Sequence, residues 1–325
     1  MKIYTKTICN NQLSHTLAPS MHLWYIYSIP QQRPTLATKL QNAAPTMFAA
    51  LDRSPGIFTT RELERLFHAS KADWDLARGT TVTEWRELLL SRGKLRKMTF
   101  QPDGHPLFSR YVWGQVSEHR LAASLWKGAY LSHGTAVFLH ALTDDLPKVI
   151  HVNREQSRKP APTGGLTQEG LDLAFARRQR ASSYEFAIGD YRVLLLNGKH
   201  TGRLEVVQLP EPFDGGMLPV TSLERTLIDI VVRPAYAGGV WRLHDAYQGA
   251  RDGVRIPLLV ATLKQLGYVY PYHQAIGFLL ERAGVEPARL EPLRALGLDF
   301  DFYLVHGMRE RDFHAGWRLF HPKGM

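Results

Sequence analysis

Two capping boxes punctuate the first third of this chain and decide where its helices can begin. Thr59 stands three residues before Glu62, and Thr81 three residues before Glu84. In each pair the hydroxyl takes an amide of the first helical turn, and the carboxylate reaches back to the amide of the capping residue. Two orphan donors are thereby satisfied at each helix start. Helices are expected over Thr60 to His68, with Leu63, Leu66 and Phe67 on one face, and over Val82 to Ser91, with Val82, Trp85, Leu88 and Leu89 on one face. Upstream, Thr46 to Leu51 can form a short helix ended by Asp52-Arg53-Ser54-Pro55-Gly56. Downstream, Gly93 stops the last helix, and Leu95 to Phe100 and Leu107 to Val112 read as strands around the breaker-rich turn Gln101 to His105. Three helices followed by a basic hairpin is the order of a winged helix-turn-helix, expected over residues 47–116. Residues 69–80, between its second and third helices, are longer than the usual tight turn.

Beyond this point the pattern is mixed. A linker helix is expected from Ser117 to Lys127, within a connecting segment 117–129, and an α+β domain over residues 130–325. Its helices are His133 to Leu142, Ser222 to Val232 behind a third capping box (Thr221 with Glu224), Val240 to Ala250, Pro257 to Leu266 and Tyr272 to Ala283. Its strands are Val149 to Val152, Tyr184 to Ala187, Tyr191 to Leu196, Leu204 to Leu209, Phe300 to Val305 and Trp317 to Phe320. A basic Pro/Gly-rich excursion covers Asn153 to Gly170. With 325 residues, two domains and a sizeable core are the natural division. Residues 1–46, broken by Pro19, Pro30, Pro34 and Pro45, read as a poorly ordered leader, one that a misassigned translation start would explain.

Composition narrows the classes of function. A single cysteine, Cys9, excludes a disulfide framework and a cysteine-based zinc cluster. No run approaches the ~18 apolar residues of a membrane span, and no secretory signal is evident, so a cytoplasmic protein with no membrane partner is expected. The net charge of +10 is unevenly spread. Residues 1–46 carry +4, 47–120 carry +3, 121–150 are neutral, 151–203 carry +4, and 204–325 carry −1. A basic surplus confined to the first two thirds points to a polyanion, nucleic acid more readily than membrane.

Enzyme signatures are sparse. Asp299 and Asp301, two apart, would share one face of a strand and could hold Mg²⁺ in a nucleotidyl-transfer site, but the glycine pair such a site needs upstream is missing. Glu205 has no lysine two residues on, as a nuclease would want. His133, His140 and His151 lack the i, i+4 spacing of helical metal ligands, and Gly238-Gly239 reads as a tight turn between helices. No phosphate loop or dinucleotide fingerprint occurs, so no cofactor and no metal are expected. The DNA case is stronger. Thr83, Arg86 and Glu87 face outward from the third helix, Arg86 being suited to guanine, and Ser91, Arg92, Lys94, Arg96 and Lys97 run beside the phosphate backbone, with Arg110 on the returning strand.

The second domain resembles the effector domain of the AbiEi-type antitoxins. Tyr130-Leu131-Ser132-His133-Gly134-Thr135-Ala136, then Pro147 to Val152, then Val220-Thr221-Ser222-Leu223-Glu224-Arg225-Thr226-Leu227-Ile228-Asp229, Arg233-Pro234, Gly238-Gly239 and Ile276-Gly277-Phe278-Leu279-Leu280-Glu281 follow in that family's order, over roughly residues 47–320. The resemblance implies a non-enzymatic antitoxin of a type IV toxin–antitoxin system. Such a protein represses its operon by binding inverted repeats in double-stranded DNA, as a monomer in solution or a dimer on DNA. It also opposes a nucleotidyltransferase-like toxin functionally rather than through a stable complex. It further implies that the second domain touches DNA, for which Arg154, Arg158, Lys159, Arg177, Arg178 and Arg180 are the candidates. The motif residues Ser132, His133, Glu224, Arg225, Asp229, Gly238, Gly239 and Glu281 are expected to be structural, Arg225 and Asp229 pairing across one helical turn. The alternatives are a solitary winged-helix regulator without a toxin partner, and a nucleotidyl-transfer enzyme using Asp299 and Asp301.

Overall fold

The computed structural model describes residues 35–160 and 164–325. Helix α1 (Leu36–Asn42) is capped by the Thr35 hydroxyl, and α2 (Ala44–Asp52) carries Pro45 in its first turn, where a missing amide costs nothing. The expectation of a disordered leader therefore fails over residues 35–46: Leu40 and Ala44 are buried with Met47 and Leu51 in the first core. Four prolines masked this helical pair, although Pro45 sits at a position that favours a helix. Residues 1–34 lie outside the described residues.

The order continues as β1 (Ile57–Phe58), α3 (Thr60–Ser70), α4 (Val82–Ser91), β2 (Leu95–Phe100) and β3 (Phe108–Trp113). Both capping boxes form: the Thr59 amide donates to Glu62 Oε2 at 2.7 Å and the Thr81 amide to Glu84 Oε2 at 2.8 Å. The long α3–α4 connection belongs to the core. Trp74 is buried and stacks on Trp85 at 5.6 Å, while Lys71 Nζ donates to the carbonyls of Arg78 and Thr80 at 2.8 and 2.7 Å. The three strands form an antiparallel sheet in the order β1-β3-β2.

One face of that sheet, carrying Leu95, Tyr111 and Trp113, packs on α2–α4. The other, carrying Phe100 and Val112, joins the core of the second body. The connection is α5 (Glu118–Ser124). Then come β4 (Tyr130–Leu131), α6 (His133–Leu139), β5 (Val149–Glu155), α7 (Gln168–Ala176), β6 (Glu185–Ile188), β7 (Tyr191–Gly198), β8 (Val206–Pro210) and β9 (Met217–Thr221). These strands make a six-stranded mixed sheet, ordered β6-β7-β5-β4-β9-β8, in which β5 and β7 run parallel with Val152 opposite Leu195. Alternation sorts β5: Ile150 and Val152 face the core shared with the N-terminal sheet, whereas His151 and Asn153 face the other way.

On that second face α6 packs against β5, and behind it a helical layer gathers around α8 (Leu223–Val232): α9 (Val240–Ala250), α10 (Ile256–Leu266), α11 (Tyr272–Arg282) and α12 (Pro287–Arg294), followed by a small sheet of β10 (Phe302–Tyr303), β11 (Arg311–His314) and β12 (Leu319–Pro322). The architecture is α+β. The third capping box is not made. Thr221 ends β9, its hydroxyl meeting that of Thr226 at 2.8 Å, and Ser222 caps α8 instead. Glu224 is drawn away by Arg255, whose Nε donates to it at 2.9 Å.

Candidate nucleic-acid interface and a basic cleft

The outward face of α4 follows from its buried stripe. Trp85 and Leu89 are wholly buried, which leaves Thr83 and Glu87 exposed and Arg86 half-buried at the margin. The Arg86 guanidinium lies 5.9 Å from the centre of the Tyr111 ring. Lys97 is the cross-strand partner of Tyr111 in the β2–β3 ladder, so the two cations flank one aromatic ring. Beyond them, on the same face of the hairpin, the hydroxyls of Thr99 and Ser109 meet at 3.1 Å. Arg92, at the carboxyl end of α4, is exposed, whereas the Ser91 hydroxyl is engaged with the Leu88 carbonyl at 2.9 Å.

Other members of the expected DNA set are placed elsewhere. Lys94 Nζ stands 5.0 Å over the Phe48 ring, near Trp113, and Arg96 Nη2 donates to the Gly114 carbonyl at 3.1 Å from the opposite face of β2. Arg110 is a correction. Alternation turns it to the second body, where it donates to the carbonyls of Ser109 and Leu125, and burial lowers its pKa. The hairpin tip is docked as well. The Asp103 amide donates to the Glu185 carbonyl at 3.2 Å, and Phe100 lies 5.5 Å from Phe186. This hairpin therefore bridges the two bodies, and its accessible part is the distal end of the helix-packed face, where Lys97 and Thr99 are exposed beyond Tyr111.

The proposed second patch divides in a similar way. Arg154 lies on the sheet face opposite Asn153 and reaches Asn197 Oδ1 at 3.2 Å. Arg158, Arg177 and Arg178 are exposed. Lys159 and Arg180, by contrast, line a cleft of about 480 Å³ together with two motif residues from the sequence, His133 and Arg225. The cleft opens where the parallel strands β5 and β7 end, with Asn153 and Gly198 at its edge. Its floor is Arg225, whose Nε donates to Asp229 Oδ1 at 2.8 Å and whose Nη1 donates to the Leu204 carbonyl at 2.9 Å. Burial opposes the Arg225 charge, and the adjacent Asp229 carboxylate more than offsets it, so the guanidinium stays charged.

His133 opens α6 with a φ of +51°, a left-handed conformation that strains a non-glycine residue. Its Nδ1 and the Ser132 hydroxyl are 2.8 Å apart. Burial first, then the charges of Arg225 and Arg233, lower its pKa to about 3, so the ring is neutral. His151 lies behind it, ring centres 6.4 Å apart, and is lowered to about 3 by burial, His133 and Arg192. Lys199, Arg233 and Tyr236 also line the cleft and escaped the sequence reading. Arg233 stood in a quoted motif without a role, and Lys199 follows the end of a strand with no local signal.

The remaining motif residues are tied into the framework. Gly238 and Gly239 have φ of +85° and +94° and make the turn into α9, where only glycine escapes strain twice in succession. Glu281 accepts from Trp317 Nε1 at 2.7 Å and Arg294 Nη2 at 2.9 Å, binding α11 to α12 and the terminal sheet. Asp299 and Asp301 lie before β10, not on a strand, and Asp301 is paired with Arg318 at 2.8 Å, so the alternation that a two-carboxylate metal site needs is absent. Among the described residues no cluster of three His, Cys, Asp or Glu side chains could hold a metal, and no helix is long and apolar enough to cross a membrane.

No protein-family model matches the chain, and no curated protein matches it. Among solved structures, the RV2827C protein from Mycobacterium tuberculosis is similar, with a TM-score of 0.52 and 18% identity, over 86% of this chain and 91% of that one. At that identity the likeness concerns the fold alone, an α+β architecture spanning most of both chains.

Proposed function

We propose that this chain is a DNA-binding autorepressor of the AbiEi antitoxin type. Residues 35–113 act as a winged helix-turn-helix, α4 entering the major groove, and the larger domain opposes a nucleotidyltransferase-like toxin in the cytoplasm. The observation that carries the DNA reading is the free face of α4. Thr83, Arg86 and Glu87 lie on the side of α4 away from the buried Trp85 and Leu89, and the exposed Arg92 and Lys97 flank the helix, one at its carboxyl end and one on the adjoining strand, as phosphate-contacting cations would. Glu87 supplies an acceptor suited to a cytosine amine, while Arg86 suits guanine, so the mixed charge of the helix fits base reading better than uniform phosphate binding. The antitoxin part is supported by the order of motifs from Ser132 to Glu281, two of which, at His133 and at Arg225 with Asp229, meet in one cleft.

The test is a binding titration with the duplex upstream of the chain's own coding sequence against a scrambled duplex. The expected preference is at least ~10³-fold at physiological salt, and Arg86→Ala relaxes it at one base position by about 1–3 kcal/mol. Equal affinity for both duplexes contradicts the reading. Co-expression with the product of the adjacent gene tests the second half, toxicity being relieved only when residues 117–325 are present. If the adjacent gene encodes no nucleotidyltransferase-like protein, the solitary regulator is the better description.

A further inference from the structure

We infer that the cleft at the ends of β5 and β7 binds a nucleotide through its phosphate. The inference is independent of duplex recognition by α4, which lies in the other body. Charge balance is the first constraint on what the cleft can hold. Arg225 and Asp229 neutralise one another at the floor, and Lys199 Nζ is spent on the carbonyls of Leu266 and Gly267 at 2.7 and 2.9 Å. Lys159, Arg180 and Arg233 remain at the walls; none of the three has an ion-pair partner among the described residues, and Arg233 spends only one arm of its fork, Nη1 donating to the Arg180 carbonyl at 2.6 Å. Three cations converging on one concave site, without a carboxylate to answer them, raise the local concentration of an anion. Arginine's planar fork favours phosphate oxygens held two at a time.

Shape and surroundings narrow the anion. A cleft of about 480 Å³ falls within the range of ~300–1,000 Å³ that small ligands and cofactors occupy, and is far larger than inorganic phosphate needs. Its walls add the aromatic side chains of Tyr236 and Tyr268, the latter with Lys199 Nζ 5.4 Å over its ring, an apolar lining that inorganic phosphate alone would not use. The neutral His133, its Nδ1 engaged with Ser132, offers Nε2 as the ring nitrogen for a polar edge. The position is also apt, because ligands of open sheets gather beyond the carboxyl ends of parallel strands. His133 holds its left-handed backbone here, at the cleft and not in a turn remote from it. A nucleotide phosphate has two sources, a free nucleotide or the phosphorylated end of a nucleic-acid strand, and both present the same chemistry to Lys159, Arg180 and Arg233.

Calorimetric titration of the full chain with AMP and ATP, with inorganic phosphate, and with a short single-stranded oligonucleotide with and without a 5′-phosphate distinguishes them. Saturable binding of a free nucleotide, at least tenfold tighter than inorganic phosphate, assigns the cleft to nucleotides. Binding confined to the 5′-phosphorylated strand assigns it to strand ends. In either case Arg180→Ala and Arg233→Ala each weaken binding by about tenfold, and Arg233→Ala, which lies outside the candidate duplex contacts, leaves affinity for the upstream duplex unchanged. Both side chains lie at the wall and not in the core, and thermal unfolding of each variant checks its fold. Binding equal in the variants and the parent, or no saturable binding of any nucleotide or phosphorylated strand at millimolar concentration, overturns the inference. Reduced duplex preference in the Arg86→Ala variant with nucleotide binding intact separates this site from the one on α4.

Discussion

Acidification from pH 6 to pH 4 is expected to cost the folded chain roughly 2–3 kcal/mol per pH unit, from His133 and His151 alone. Both rings are buried, and both have their folded-state pKa lowered to about 3 from 6.5. The unfolded chain therefore takes up two protons below pH 6.5 that the native chain refuses until about pH 3. The contribution is complete above pH 6.5, where neither state holds the protons, and it falls steadily as pH drops through that window. The environment explains the refusal: Arg225 and Arg233 face His133, Arg192 faces His151, and the two rings face each other. Among the described residues His151 Nδ1 has no hydrogen-bond partner, so a proton there would be buried without compensation. Urea unfolding at a series of pH values measures the slope. His133→Asn, which tolerates the left-handed backbone, and His151→Gln should each lower it by about 1.4 kcal/mol per pH unit. A slope that neither substitution moves would show that the histidines are not held neutral.

Gly277→Ala is expected to destabilise the chain by about 3 kcal/mol or more, a large effect for a single methyl group on a helix. The added Cβ would lie 2.3 Å from two ring carbons of Trp317. That indole is fully buried and pinned on several sides. Its Nε1 donates to Glu281, Arg294 lies 4.0 Å over its ring, and its backbone carbonyl accepts from Gln274 at 2.8 Å. It cannot retreat without breaking these contacts. Trp317→Phe in the Gly277→Ala background should recover part of the loss, since a smaller ring makes room; the two substitutions are then strongly non-additive. A midpoint of unfolding within error of the parent for Gly277→Ala contradicts the packing.

The sequence was most legible where local chemistry decides structure. The capping boxes located α3 and α4, and the breakers around Gly104 located the hairpin, because each signal acts within a few residues. It was least legible where proline and glycine letters carry two meanings. Pro45 opens a helix in a stretch read as broken by proline, α12, which no expectation covered, begins at Pro287 and holds Pro292, Pro219 sits within β9, and α7 emerges from the Pro/Gly-rich excursion. The third capping box failed for a different reason: Arg255, distant in sequence, competes for Glu224. The candidate sites repeat the lesson. Arg86 and the exposed side of α4 follow from period alone, but Arg110 was misplaced because alternation says which residues share a face, not which body that face meets. The cleft was visible only in fragments. His133, Arg225, Lys159 and Arg180 come from four segments that converge through the β5–β7 crossover.

The salt dependence of binding to the upstream duplex counts the phosphates that α4 and its flanks neutralise. For the parent chain log affinity should fall linearly with log salt, each phosphate contact contributing a slope of about −0.9. Replacing Arg86, Arg92 and Lys97 together with Ala removes at most three such cations from the α4 face. With Arg92 and Lys97 on phosphates and Arg86 on a base, the slope should become shallower by about 2 units and affinity at 150 mM salt fall by roughly a hundredfold. Arg110→Ala, which empties the junction between the bodies, should weaken the fold and leave the slope as it was. A triple variant with the parent's slope, or an Arg110→Ala variant that matches the triple variant, would place the DNA on some other surface.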